Sequence, residues 1–174
     1  VSNLRLEIEP LTSESYAPFG NVIAAGTLEA GKPANHRTAR RYDQLGPLER
    51  TRADAPWNLC VFRCAPRDLS SFKVTLLEKH PYSTQLFVPM NAARYLVIVA
   101  ETTNGGMSPE LRSLRAFLAT GRQGISYHPG VWHHPLLALD HETDFACVVS
   151  EDGGEGDCEV RPIAEAEQRV VSLR

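Results

Sequence analysis

Two short clusters hold the residues best suited to chemistry. In the first, Glu78 and His80 stand two apart, and Gln85 follows five residues later. In the second, Tyr127-His128-Pro129-Gly130-Val131-Trp132-His133-His134-Pro135, three of the chain's six histidines fall within seven residues. The run 72–80 reads as a strand whose Phe72, Val74, Leu76, Glu78 and His80 share one face. Its first three members are apolar and are expected to point into a core. A carboxylate and an imidazole then continue that face, and buried charge is costly unless paired or bound to metal. Residues 81–84 read as a turn, because proline cannot continue a central ladder. The turn resets the register, so Gln85 is expected to face the same cavity with Phe87 beneath it. Pro129-Gly130 marks a second tight turn that aims the next strand back at this cavity. His133 and His134 must then lie on opposite faces, so only one of them is an inward ligand. One carboxylate, one amide oxygen and imidazole nitrogen suit a divalent first-row metal. Open coordination positions would receive a substrate hydroxyl or carboxylate.

Each residue taken singly has a plainer reading. A histidine beside a proline is usually a hydrogen-bonded edge residue, as His80 alone would be. Glu78 beside Lys79 reads as a solvated charge, and Tyr127 and Trp132 as core or rim aromatics. What favours a site is the joint pattern: two strand-turn-strand units, each ending in polar residues on an otherwise apolar face.

The elements that must position these groups are short. Twelve prolines and twelve glycines punctuate the chain, with alternating or apolar runs between them, the pattern of an all-β sandwich or barrel. Strands are expected over 4–8, 21–25, 59–64, 71–80, 84–88, 94–101, 114–119, 124–127, 133–138 and 145–150. Helix is confined to one capped turn over 12–16 and a short segment over 163–173, with Glu165 and Glu167 early and Arg169 late. The acidic, glycine-rich stretch 151–157 reads as a solvated loop without the spacing of a calcium site.

Composition removes whole classes of function. The 174 residues are 43% hydrophobic and 22% charged with net charge −3, which fits a single soluble domain rather than a disordered chain. No basic excess points to nucleic acid. The run Leu96-Val97-Ile98-Val99-Ala100 is far too short to cross a membrane, and nothing at the start resembles a secretory signal. A cytoplasmic protein is therefore expected, with Cys60, Cys64, Cys147 and Cys158 as reduced thiols and the first two as small buried hydrophobes.

The spacing Glu78-x-His80, Gln85, then Pro129-Gly130-x-x-His133 resembles the two cupin motifs. It departs from them in having Glu for the first histidine, Gln for the carboxylate, and His128 where the second motif has proline. More specifically, the chain resembles the ureidoglycolate lyases, formerly called hydrolases. The matching stretches include 16–23, Arg41-Tyr42, 77–81, 84–90, 114–117, the block Trp132-His133-His134-Pro135, and Thr143-Asp144-Phe145. The resemblance implies a cupin-like double-stranded β-helix barrel over 1–174, commonly a homodimer. It further implies cleavage of (S)-ureidoglycolate to glyoxylate and urea, late in purine (allantoin) breakdown. Under it Glu78, His80, Gln85 and His133 occupy the ligand positions for a divalent metal, with Glu78, His133 and Arg41 catalytic. Arg41 holds the substrate carboxylate bidentately, and Asn35, Thr84, Tyr127 and Trp132 wall the pocket. His134 fixes His133 or simply packs. Two other readings stay open: a metal-dependent cupin isomerase or dioxygenase on another small acid, and a non-catalytic glyoxylate-binding barrel.

Overall fold

A computed structural model describes residues 5–26, 30–103 and 105–172. Among these residues the protein is mostly β. One large sheet runs Glu159–Pro162, Leu76–Lys79, Trp132–His133, Arg94–Ala100, Arg115–Thr120, Ile8–Pro10, with Leu137–Ala138 also paired to Arg94–Ala100. A second runs Gly20–Ile23, Gly124–Tyr127, Gln85–Pro89, Thr143–Ser150, Trp57–Cys64. A smaller sheet of Arg5–Leu6, Arg169–Val171 and Phe72–Val74 covers the outside of the first.

Strand Arg94–Ala100 shows why the sequence folds this way. Its odd residues Tyr95, Val97 and Val99 enter a core with Phe87, Phe117, Ile125 and Phe145, between the two large sheets. Its even residues Leu96, Ile98 and Ala100 enter a second core with Val74, Leu77, Trp132 and Val171, beneath the small sheet. Both faces are buried, so this strand is apolar without alternation. Each large side chain buried this way stabilises by about 1.5–3 kcal/mol.

The single helical turn Ser13–Tyr16 is capped by Thr12, whose Oγ1 accepts from Ser15 N at 3.1 Å. Gly20 then lets strand Gly20–Ile23 approach its neighbour closely. A Cβ there would sit 1.7 Å from the Ser126 carbonyl oxygen.

Several expected boundaries shift. The strand 71–80 breaks at Thr75 into Phe72–Val74 and Leu76–Lys79. Phe72–Val74 pairs with Arg169–Val171, while Leu76–Lys79 pairs with Glu159–Pro162 and His133. The break changes parity: Val74 and Leu77 now share the outer core, so Phe72 and Val74 do not line up with Glu78 and His80. The segment 163–173 is not a helix. It holds one 3-10 turn, Glu165–Glu167, and strand Arg169–Val171, because β-branched Val170 and Val171 complete the outer sheet. Leu4 and Leu173, the outer limits of two expected elements, lie outside the described residues. The strands Lys32–Ala34 and Ala39–Arg41 form a hairpin that the periodicity does not show.

Candidate active site

The site is built on the inner side of the first sheet. His133 lies directly opposite Glu78 in antiparallel register, so the two side chains share one face. The Pro129-Gly130 turn brings them there. Gly130 adopts a φ of +78°, which glycine tolerates freely, and its N–H donates to the His80 carbonyl at 2.9 Å. The result gathers the ligand atoms of Glu78, His80 and His133 within 4.8 Å of one another. His133 and His134 do face opposite ways. His133 is inward, whereas His134 packs edge-on against Phe72 on the outer side, with ring centroids 5.4 Å apart.

His133 is held firmly. Its Nδ1 lies 2.9 Å from the Val131 carbonyl, and Tyr127 stacks on the ring at 3.9 Å. Donation from Nδ1 to that carbonyl leaves Nε2 as the free lone pair, 3.6 Å from Glu78 Oε1. Glu78 Oε2 faces the Cys158 thiol at 4.0 Å. Burial pushes the Glu78 carboxyl up, but the neighbouring imidazoles, His133 first with His80 and His134 behind, hold it below its ordinary value. His80 is pushed below 6.5, first by burial and then by His133, against the pull of Glu78. Burial raises the Tyr127 hydroxyl well above 10, so it stays a neutral phenol.

Glu78 and His80, with His133 behind them, border a cavity of about 250 Å3. Its polar side is Glu78, His80 and Gln85, and its apolar side is Phe62, Phe87, Pro135 and Leu136. Gln85 thus faces the cavity with Phe87 beside it, as the turn at 81–84 implies. Two thiols, Cys64 and Cys158, complete the lining. Cys64, like Cys60, is half-buried against the inner core and also reaches the cavity wall, and neither lining thiol has a spacing signal that would place it here. Among the described residues the lining has no lysine or arginine.

The other residues expected at the site fall elsewhere. Trp132 is fully buried in the outer core, on the face opposite His133, with the Lys79 ammonium 4.8 Å over its ring. Thr84 is buried, and its hydroxyl accepts from Glu49 N at 3.1 Å, which pins the neighbouring segment. Tyr127 supports His133 from behind. Asn35 and Arg41 lie on the exposed hairpin, Asn35 with a φ of 48° and Arg41 paired to Asp43 at 2.5 Å. The stretch 151–157 is not merely solvated. Arg52 binds Asp152 and Asp157, and Asp157 Oδ2 accepts from Asp152 N and Gly153 N, which orders the loop leading to Cys158.

The donor set fits a metal. His80 Nδ1 and His133 Nε2 are buried without hydrogen-bond partners, beside an ionised carboxylate. Two imidazoles and a carboxylate are ordinary ligands for a first-row divalent ion.

Comparison with known proteins agrees with the motifs. The family model described as ureidoglycolate lyase matches residues 3–170. A ureidoglycolate lyase of Burkholderia cepacia is 40% identical over 161 residues, covering 91% of this chain and 86% of its own length. One from Brucella anthropi is 39% identical over 169 residues, covering 97% of this chain and 96% of its own. Another, from Pseudomonas aeruginosa (strain LESB58), is 36% identical over 166 residues, 95% of each chain. With the family model spanning nearly the whole chain and these relatives 36–40% identical over most of it, this chain belongs to the ureidoglycolate lyase family.

Proposed function

We propose that the protein splits (S)-ureidoglycolate into glyoxylate and urea. The observation that carries this reading is the Glu78 carboxylate facing His133 Nε2 at 3.6 Å, on the border of a cavity sized for a small molecule. Ureidoglycolate is a carbinolamide. Removing its hydroxyl proton lets the oxygen form the aldehyde, the carbon–nitrogen bond breaks, and its electron pair leaves with the urea nitrogen. No water enters. Glu78, ionised beside His133, takes the hydroxyl proton and returns it to the departing nitrogen. His133 stands beside that carboxylate, its ring fixed by Tyr127 and the Val131 carbonyl. A divalent metal would be held by Glu78, His80 and His133, and when bound would supply positive charge that acidifies the hydroxyl.

The substrate's own carboxylate needs a cation, and the cavity lining offers none. We assign that part to Arg41, 74% of whose side chain is exposed on the hairpin, delivered from a second protomer. A homodimer is supported by the outward row Val61, Ala146 and Val88, with Leu59 and Met90 also exposed. Leu59 is 73% exposed, an unusual position for leucine on a sheet. Light scattering on the purified protein tests the dimer, and Arg41→Ala is expected to raise KM with little change in kcat. A cytoplasmic setting is supported by four free thiols. No described helix is long and apolar enough to cross a membrane.

A urea and glyoxylate assay on the purified protein, with and without chelator, tests the proposal. A second reading rests on the ligand set, since two histidines and one carboxylate also serve oxygen-activating iron. Oxygen consumption without urea release favours that enzyme, and tight glyoxylate binding without turnover favours a binding barrel.

A further inference from the structure

Gln85 stands apart from the other groups lining the cavity. Its side chain is 3% exposed, and its Oε1 is buried with no hydrogen-bond partner. A buried amide left unsatisfied costs stability and calls for a ligand or a water. The backbone around it is fixed. Gln85 pairs with Tyr127 on one side and Val149 on the other, so it sits in a central strand. Just before it, the Ser83 hydroxyl bonds to Ser150 N and carbonyl at 3.1 Å, and Thr84 bonds to Glu49. A polar group on so rigid a base is preorganised for recognition.

The cavity's chemistry indicates what Gln85 recognises. Glu78 and the two histidines occupy the reacting centre, and the apolar wall includes Phe62 and Phe87, with ring centroids 5.4 Å apart. Among the described lining residues, Gln85 is the one carboxamide, presenting both an acceptor and strong N–H donors. A ureido group is planar and presents the complementary carbonyl and N–H edge. The two pair in either orientation of the amide.

We propose that Gln85 is a specificity-determining residue that binds the ureido end of the substrate through its carboxamide, rather than a fourth metal ligand. This rests on the lyase reading above. The leaving group is thereby recognised by its amide character, and the aromatic wall receives its flat face.

The test compares the wild-type protein with Gln85→Leu and Gln85→Glu, each checked for folding by thermal melting. Inhibition by urea and by glyoxylate is measured separately, direct binding of each product is followed, and bound metal is quantified after loading. Loss of the donor–acceptor pair is expected to weaken urea binding by about tenfold or more in Gln85→Leu. Glyoxylate binding and metal content should stay near wild type in Gln85→Leu. Unchanged urea binding overturns the proposal. So does equal weakening of both products with lost metal, or a Gln85→Glu protein that binds metal more tightly than the wild type, since those results mark a ligand. If Gln85→Leu fails to fold, Gln85→Met, unbranched like glutamine and without the amide, decides by the same criteria. A folded wild-type protein that converts no ureidoglycolate and binds neither product overturns the lyase reading, and the role of Gln85 falls with it. Turnover by the wild type with unaltered urea inhibition in the variants overturns the role of Gln85 alone.

Discussion

The two sides of strand Leu76–Lys79, the outer one buried and the inner one half-buried, treat their ionisable groups in opposite ways. On the outer side, Lys79 reaches Glu159 at 3.3 Å and the Gly106 carbonyl at 3.4 Å, and its ammonium caps the Trp132 ring. On the inner side, His133 Nε2 and His80 Nδ1 have no hydrogen-bond partner, and Gln85 Oε1 on the neighbouring sheet has none either. A buried charge that is fully partnered holds structure together. A group of buried polar atoms left open towards one cavity is a site waiting for its ligand. The comparison therefore separates residues that sequence alone places side by side: Glu78 from Lys79, and His133 from Trp132.

Substitutions on the two sides should fail differently. The largest effect is expected at His133→Ala, which removes the imidazole beside Glu78: turnover should fall by about 10³-fold, while the melting transition stays cooperative. Next comes Trp132→Ala, one residue away on the outer side. It should cost about 3–5 kcal/mol of stability by opening a cavity, measured by denaturant unfolding, with turnover per folded molecule retained. Lys79→Met should cost less, about 1–3 kcal/mol, because Glu159 is half-exposed and regains water. It too should leave turnover intact, and a loss of activity there would erase the distinction between the faces.

The smallest effect concerns pH. Burial holds His134 below its ordinary value of 6.5, so the fold favours the neutral ring. The stability this contributes is present above pH 6.5 and is lost as pH falls through the lowered value. His134→Phe should flatten that part of the acid limb in melting experiments, since Phe72 offers an aromatic partner in either case.

How much of this was legible in the sequence depends on the reach of the interaction that decides it. The alternation of His133 and His134, the turn at Gly130 and the inward aim of Gln85 all follow from local geometry, and the structure places them so. The strand Gly124–Tyr127 and the apolar run from Leu96 to Ala100 were equally plain. The break at Thr75 was not, because it depends on a change of partner. Phe72–Val74 belongs to the outer sheet with Arg169–Val171, and Ile163 N reaches the Thr75 carbonyl at 2.8 Å. Those contacts lie about ninety residues away along the chain, beyond any local pattern. The same long-range pairing turned the segment near Val170 into a strand despite its helix-like charges. Trp132 was misplaced for a simpler reason. Its neighbour His133 is inward, and strand alternation must send the tryptophan outward. Cys158 had no signal at all, since its position follows from the Arg52-bound loop before it.

The central claim is that Glu78, in this cavity, drives the release of urea from ureidoglycolate. It is tested most directly by measuring glyoxylate and urea together from the wild-type protein and from Glu78→Gln. The account predicts equimolar products from the wild type and a loss of about 10³-fold in the variant, with its fold intact by melting. Wild-type turnover in Glu78→Gln, or glyoxylate formed with ammonia in place of urea, would contradict it.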